Sequence, residues 1–447
     1  MKNVLVLGAG LVARPLLRYL LTHYDHRVLV ATLDVPKAKQ SMGEHPRGSV
    51  VYHDVSDIAK TTPLVADADM VVSLLPAELN VPVAKLAIAM RKPMVNTSYA
   101  APEMWALDEE ARRAGVVILN EIGLDPGIDH MSAIAQIHEI KLGGGRLTGF
   151  LSCCGGFPAQ DANTNPWGYK FSWNPKGVLR AGTQSARFLR RGQVVEVPGG
   201  GAVFDHSWPL DVQGLGTFEM YPNRDSLKYI PLYELEGVQG MFRATLRYPG
   251  WCATMRAIRL LGFFETEALD WPAGTTFLDV STRLVQQEQG PLSERIAHHL
   301  GISLDSEEMA RLEWLGLFSD RPVNAAHASP LDILLARMRA LMMYKSGDRD
   351  LVAMQHIFSV DYPDGSSEEI RSTLVKTGEP FGDTAMARTV SLPAAIAVRL
   401  ILDEGVLAEG VQIPILREIY EPVLKELAEY GIKMEETRVR TFRGPLD

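Results

Sequence analysis

Short apolar runs near the start of the chain alternate with amphipathic stretches. Val4-Leu-Val-Leu7 reads as a buried strand, Arg14-Pro-Leu-Leu-Arg-Tyr-Leu-Leu21 as a helix with one apolar face, and Arg27-Val-Leu-Val-Ala-Thr32 as a second strand. Further strands are predicted at Val50-Val-Tyr52, Met70–Leu75, Met94-Val-Asn96 and Val116–Leu119, with a helix over Val81–Met90. Strands alternating with helices predict a doubly wound parallel sheet. From about residue 146 the texture becomes antiparallel: Leu147–Cys154, Val194–Val197, Gly216–Tyr221 and Phe242–Tyr248 are separated by Gly, Pro and Asn. A hairpin is predicted from Leu351–Tyr362 and Glu368–Thr377 around Pro363-Asp-Gly-Ser366. Between these lies a helix-rich block, 253–345, with helices at Leu292–Leu300, Glu307–Leu315 and Pro330–Lys345. Leu392–Glu404 and Ile415–Tyr430 are helical again and are assigned back to the first domain.

Composition narrows the classes without choosing among them. A chain of 447 residues has room for two or three domains, and 46% hydrophobic with 22% charged residues is ordinary globular usage. The formal net charge of −9 and the lack of basic clusters interleaved with aromatics argue against nucleic acid as a partner. No unbroken run of 18 apolar residues suggests a membrane span, and Met1-Lys-Asn leads directly into the first strand, so a cytoplasmic protein is expected. Cys153, Cys154 and Cys252 lack metal-site spacing and are expected to be buried free thiols; no metal is expected. A homodimer is the oligomer under consideration, with the Met- and Leu-rich stretch Met338–Met343 read as core or interface.

The chemistry starts with Gly8-Ala-Gly10-Leu-Val-Ala13, a G-x-G-x-x-A placed between a strand and a helix. Gly8 permits the tight turn, Gly10 lets a pyrophosphate approach the backbone, and Ala13 lets the helix pack closely on the strand. Asp34, just past the second strand, suits the ribose 2′-hydroxyl of NAD and would repel the 2′-phosphate of NADP; its neighbour is Leu33 rather than Arg. The competing role for Asp34 is to cap the helix near Pro36–Lys39. NAD is therefore the expected cofactor and NADP the alternative.

Asn120-Glu-Ile-Gly-Leu-Asp-Pro-Gly-Ile-Asp-His130 joins the strand ending at Leu119 to a helix over Met131–Ile140. Asp125 is read as the N-cap, Pro126 as the first helical residue, and Gly127 as a point of close approach. Ligands of parallel α/β sheets sit at this carboxyl edge, where Ser73, Pro76, Ser98 and Tyr99 also fall. Farther on, Arg224 and Arg247 stand in aromatic or apolar frames and have the fork geometry that suits carboxylates, or structural ion pairs.

With these motifs the chain resembles the saccharopine reductases, the glutamate-forming saccharopine dehydrogenases. The resemblance runs through Gly8–Pro15, Val71–Pro76, Thr97–Tyr99, Asn120–His130, Ser152–Pro158, Tyr169–Trp173, Tyr221–Ser226, Thr245–Tyr248 and Trp314–Ser319. It implies an α/β protein: a Rossmann-type dinucleotide domain over 1–130 to which 391–447 returns, an α/β domain with a mostly antiparallel sheet over 131–252 and 346–390, and an inserted helical domain over 253–345. It further implies that Gly8, Gly10, Leu11 and Val12 line the pyrophosphate and Leu33 and Asp34 the adenosine ribose. Ser73, Leu75, Pro76 and Thr97 follow the cofactor, while Leu124, Asp125, Pro126, Gly127 and Trp173 lie near the nicotinamide.

Ser98, Tyr99, Asp125, Arg224, Thr245 and Arg247 are implied to meet the substrate, with Asp125 and Tyr99 the candidates for proton transfer. NADP-dependent fungal members carry Arg where this chain has Leu33. The implied reaction moves a hydride between the cofactor and the secondary amine of saccharopine, interconverting it with glutamate and 2-aminoadipate 6-semialdehyde in lysine metabolism. Alternatives are a carboxynorspermidine or lysine dehydrogenase on the same scaffold, and a non-catalytic NAD-binding sensor.

Overall fold

A computed structural model describes residues 1–23, 25–285, 290–405 and 408–442; residues 443–447, the tail of the predicted returning segment, lie outside the described residues. The chain divides into two compact units, the first comprising 1–146, 362–365 and 374–436, the second 147–361, 366–373 and 437–447.

The first unit contains β1 (Lys2–Leu7), β2 (His26–Thr32), β3 (Gly48–Tyr52), β4 (Met70–Ser73), β5 (Met94–Asn96) and β6 (Val117–Leu119), joined much later by β17 (Gly410–Gln412). Their order across the sheet is β17-β6-β5-β4-β1-β2-β3, and all six pairings are parallel. The strands are nearly all apolar because helices cover both faces, so alternation gives way to continuous Val, Leu and Ile. The first helix, Ala13–Thr22, buries Ala13, Pro15, Leu16, Leu17, Tyr19, Leu20 and Leu21, the face that its apolar spacing predicts. Arg14 on its solvent side is ion-paired to Asp383 at 2.7 Å.

The late segment returns to this unit as the helices Ala385–Asp403 and Arg417–Glu429 with β17 between them. Ala385–Asp403 is long and apolar enough to span a bilayer, but 78% of its most apolar window is buried inside the protein, as befits a core helix.

The second unit holds β7 (Arg146–Pro158), β8 (Ala186–Arg190), β9 (Gln193–Val197), β10 (Trp208–Val212), β11 (Gly216–Pro222), β12 (Gly240–Arg247), the two-residue strands β13 (Leu269–Asp270) and β14 (His327–Ala328), the hairpin β15 (Asp350–Asp361) and β16 (Ser366–Thr377), and β18 (Glu435–Phe442). The main sheet runs β10-β11-β12-β7-β15-β16-β18, with β8 and β9 attached through β12. It is a mixed sheet: β10, β11 and β12 pair antiparallel, whereas β12 and β7 are parallel. The helical block is present, among the described residues, as five helices between Trp251 and Leu341, and their apolar faces close over a core that includes Trp167, Tyr169, Trp251, Phe263, Leu312 and Leu334. Met338 and Met342 lie in that same core, which places this Met-rich stretch inside the protein. The three cysteines are free and buried, as expected.

One turn has no conformational slack. Gly127 sits at φ 145°, and a Cβ there would lie 2.1 to 2.4 Å from backbone atoms of Gly123. Neither side of that contact is a side chain that can swing away. Gly127→Ala is expected to destabilise the protein by about 3 kcal/mol or more, read as a lowered urea midpoint with an unchanged slope.

Candidate functional site

In the first unit, the chain reverses at the carboxyl ends of β1 and β4, where the order of strands switches direction. This is the crevice in which open parallel sheets bind ligands. Gly8 makes the turn at φ 86°, and its N–H donates to Ala31 O at 2.9 Å. Across the crevice Leu74 N donates to Leu7 O at 2.9 Å, fixing the Ser73–Pro76 segment beside the fingerprint. Ser73 is buried and donates through Oγ to Asn80 Oδ1 at 2.6 Å, so its hydroxyl hydrogen is committed to the fold. Leu75 is half-buried and Pro76 exposed.

Leu11 is exposed and Val12 half-buried. A Cβ at Gly10 would meet no atom within 4 Å. Packing alone therefore does not demand glycine at position 10, and its bare backbone is accessible to a pyrophosphate, as the fingerprint requires. The residues present fit a dinucleotide.

At the end of β2, Leu33 and Asp34 are both exposed. Asp34 is the N-cap of helix Val35–Met42, with Oδ1 accepting from Lys37 N at 3.1 Å. The capping role is thus real, and it occupies one oxygen of an exposed carboxylate.

The Asn120–His130 turn departs from its prediction. Helix Ile128–Leu142 begins with Gly127 as its N-cap, so Asp125 does not cap it and Pro126 precedes its first turn. The leading helix donors are already satisfied by the turn itself: Ile128 N donates to Gly123 O at 2.8 Å and Asp129 N to Leu124 O at 3.1 Å. Asp129 accepts Gly127 N at 2.5 Å. Asp125 is thereby released toward the sheet edge, where its carboxylate accepts a short hydrogen bond from the Tyr99 hydroxyl.

Leu124, Pro126 and Gly127 are buried and Asp125 is half-buried, so of these four Asp125 offers the exposed polar group. Thr97, Ser98 and Tyr99 are half-buried beside it. The two loops are laced together beneath: Asn96 Nδ2 donates to Asn120 Oδ1 at 2.6 Å, Ser98 N to Asn96 Oδ1 at 3.0 Å, and Glu121 N to Ser98 O at 3.2 Å.

The remaining predicted residues belong to the second unit. Arg247 is 6% exposed at the end of β12, with its guanidinium carbon 4.9 Å from the Tyr169 ring, 5.3 Å from Trp251 and 6.0 Å from Tyr221. Burial pushes the Tyr169 hydroxyl up to about 12 and raises Tyr221 as well, so both stay neutral and supply ring faces and O–H groups rather than counter-charge. Arg247 Nη1 donates to Leu246 O at 2.7 Å, while its buried Nε has no hydrogen-bond partner among the described residues. A buried guanidinium with aromatic neighbours and a donor to spare is suited to an incoming carboxylate.

Thr245 is half-buried on the same strand, opposite Tyr221. Arg224 lies at φ 60° in a turn whose carbonyl accepts Arg187 N at 3.0 Å. Trp173 is half-buried against the unit's aromatic core. Sequence reasoning missed the Lys170–Asp348 ion pair at 2.6 Å, whose partners are far apart in the chain.

Among the described residues, seven parallel strands in dinucleotide-binding order, with the fingerprint at the switch point, define a dinucleotide-binding domain. Comparison with known proteins narrows this. Residues 4–119 match the family described as "Saccharopine dehydrogenase NADP binding domain", and residues 123–432 match "Saccharopine dehydrogenase C-terminal domain". The chain belongs to the saccharopine dehydrogenase family. It is 37% identical over 448 residues to the saccharopine dehydrogenase [NADP(+), L-glutamate-forming] of Pyricularia oryzae, covering 97% of this chain and 98% of that one.

The Saccharomyces cerevisiae protein of the same name is 35% identical, with 98% and 99% covered. A mitochondrial alpha-aminoadipic semialdehyde synthase of Bos taurus is 35% identical over 96% of this chain and 47% of its own length. The solved apo saccharopine dehydrogenase (L-Glu forming) from S. cerevisiae superposes with a TM-score of 0.87, at 34% identity over 98% of this chain and all of that one. The alternatives of a carboxynorspermidine or lysine dehydrogenase and of a sensor find no support among these relatives. A nicotinamide cofactor follows from the family.

Burial pushes the Asp348 carboxyl upward, but hydrogen bonds from Lys170 and the Lys345 backbone outweigh it and hold it below the ordinary 3.8. Because the folded value is depressed, the pair stabilises fully above the unfolded value and its contribution is lost as pH falls through the folded one. Asp348→Asn should cost about 3 kcal/mol at pH 7, since it strands a buried ammonium, and the gap from wild type should close only below about pH 4. Urea unfolding across pH 2.5–8, each bound an approximate choice around these values, checks both the size and the sign.

Proposed function

We propose that this protein is an L-glutamate-forming saccharopine dehydrogenase that uses NAD. The observation carrying the reaction is end-to-end similarity to enzymes of that name, spanning both the Gly8–Ala13 fingerprint and the Asn120–His130 turn. In the oxidative direction a hydride leaves the carbon beside the secondary amine, the resulting imine takes up water, and the carbinolamine collapses to glutamate and 2-aminoadipate 6-semialdehyde with loss of one proton. The nicotinamide ring supplies the hydride acceptor.

The chain's own residues do the rest. Gly8, Gly10, Leu11 and Val12 hold the pyrophosphate, and Ser73, Leu75, Pro76 and Thr97 continue along the cofactor toward Leu124–Gly127. Tyr99 donates to Asp125, which puts a phenol and a carboxylate in one hydrogen-bonded pair through which a proton from the substrate amine or the attacking water can pass. Ser98 adds a neighbouring hydroxyl. Saccharopine carries three carboxylates, and Arg247 and Arg224 are the guanidinium groups assigned to them, with Thr245 as a further donor.

The names of the relatives favour NADP. The end of β2 supports a different preference in this chain: an exposed carboxylate at Asp34 beside Leu33, where a 2′-phosphate would meet negative charge and no guanidinium.

Initial rates with saccharopine should therefore show kcat/KM at least about tenfold higher for NAD than for NADP, which corresponds to ~1.4 kcal/mol, with glutamate formed in step with reduced cofactor. Asp34→Ser should narrow that ratio. Absence of glutamate would sink the reaction; a wild-type preference for NADP would sink the cofactor assignment alone. Asp125→Asn should lower kcat by about 10²-fold while leaving dinucleotide affinity unchanged, and an unaltered kcat and pH profile would remove Asp125 from proton transfer.

A further inference from the structure

Just past β6 the chain does something costly. Glu121 is 1% exposed, and its backbone lies in the left-handed region at φ 58°. Glycine takes that conformation without steric penalty, and Asn or Asp take it more readily than Glu. A buried carboxylate also loses its hydration unless several donors replace the water. Both penalties fall on one residue, so the use made of its side chain has to be sought in its contacts.

The two carboxylate oxygens are divided between two segments. Oε1 accepts the backbone N–H of Ala100 at 2.9 Å. Oε2 is 2.7 Å from His130 Nε2. Ala100 directly follows Tyr99, and His130 lies in the first turn of the helix that directly follows Asp125. Asp129 extends the set, with Oδ1 on Gly127 N at 2.5 Å and Oδ2 3.8 Å from His130 Nδ1. The backbone of Glu121 and Ile122 adds donors to Ser98 O and Asn96 O, each at 3.2 Å. A single carboxylate thus clasps the loop that presents Tyr99 to the helix whose entry turn presents Asp125, and the hydroxyl of one is hydrogen-bonded to the carboxylate of the other.

We propose that Glu121 is a positioning residue for the reaction: through Ala100 N and His130 Nε2 it sets the alignment of the Tyr99–Asp125 pair. The proposal rests on the reading of that pair as substrate-facing. Glu121 has no step of its own in it. What matters is reach, because both contacts are made at once from one side chain of fixed length. Aspartate keeps the charge, suits the left-handed backbone better and lacks the reach. Glutamine keeps the reach; its oxygen can accept from Ala100 N, and its amide can donate to His130 Nε2 once the imidazole carries its proton on Nδ1, facing Asp129.

The test compares Glu121→Asp, Glu121→Gln, Tyr99→Phe and the double variant E121D/Y99F, with fold checked by circular dichroism and thermal unfolding. Glu121→Asp should lower kcat by about ten- to a hundredfold, the scale of misplacing a reacting group by about 1 Å, with KM for the dinucleotide within about twofold of wild type. Glu121→Gln should recover most of kcat. Tyr99→Phe should also lower kcat, and E121D/Y99F should fall no more than about twofold below Tyr99→Phe, since both act through one pair.

Wild-type kcat in Glu121→Asp beside an impaired Tyr99→Phe would overturn the positioning role and leave the reading of the pair intact. Losses that multiply in the double variant would also overturn it, as would Glu121→Gln falling below Glu121→Asp, which would make charge rather than reach the operative property. A Tyr99→Phe enzyme with wild-type kcat would overturn the reading of the pair and the proposal with it. If Glu121→Asp does not fold, His130→Asn severs the other half of the clasp and is put through the same comparison.

Discussion

Polar groups at the carboxyl ends of β5 and β6 are shut away from water, and the satisfaction of each by another is the constraint on which the first unit's chemistry depends. Asn96, Asn120, Glu121, Asp129 and His130 are all buried, and each is hydrogen-bonded. An unpaired member would cost about 1–3 kcal/mol, more for a charge. Two loops that would otherwise be free to drift are therefore held as one piece. The half-buried hydroxyl and carboxylate above them inherit that rigidity, which is the condition for placing reacting groups.

The second unit handles charge in another way. Arg247 is surrounded by Tyr169, Tyr221 and Trp251, rings that favour a cation without neutralising it. A carboxylate partner inside the protein would have spent the guanidinium on structure. Lys170 shows that alternative in the same unit, its ammonium ion-paired to Asp348. The contrast separates a cation surrounded by aromatic rings from one paired to a carboxylate within the fold.

The parts legible in the sequence were those with short-range grammar. The βαβ opening, the fingerprint and the hairpin at 351–377 each declare themselves within a few dozen residues, and the capping role of Asp34 was among its two readings. Asp125 was misread because its immediate neighbours do satisfy the rules for a helix start; the hydroxyl that claims it comes from Tyr99, on another strand's exit loop. Lys170 and Asp348 pair across most of the second unit, beyond any local rule. β17 is three residues long, and β18, Glu-Glu-Thr-Arg-Val-Arg-Thr-Phe, is too polar to stand out, as suits a strand at a sheet's edge. Glu121 stood in plain view, but nothing in its neighbours' identities indicates a left-handed backbone.

The parallel sheet is finished by β17, which pairs with β6 from Gly410 to Gln412. Between the two strands in the chain lies the main segment of the second unit, Leu147–Asp361. During synthesis β6 therefore waits with an open edge while that segment emerges, a delay on the order of tens of seconds at about 5–20 residues per second. The nucleotide half begins first and cannot close its sheet until that segment has been made, so a ribosome that stops anywhere within Leu147–Asp361 releases a chain whose fingerprint is intact and whose sheet still has an unpaired apolar border.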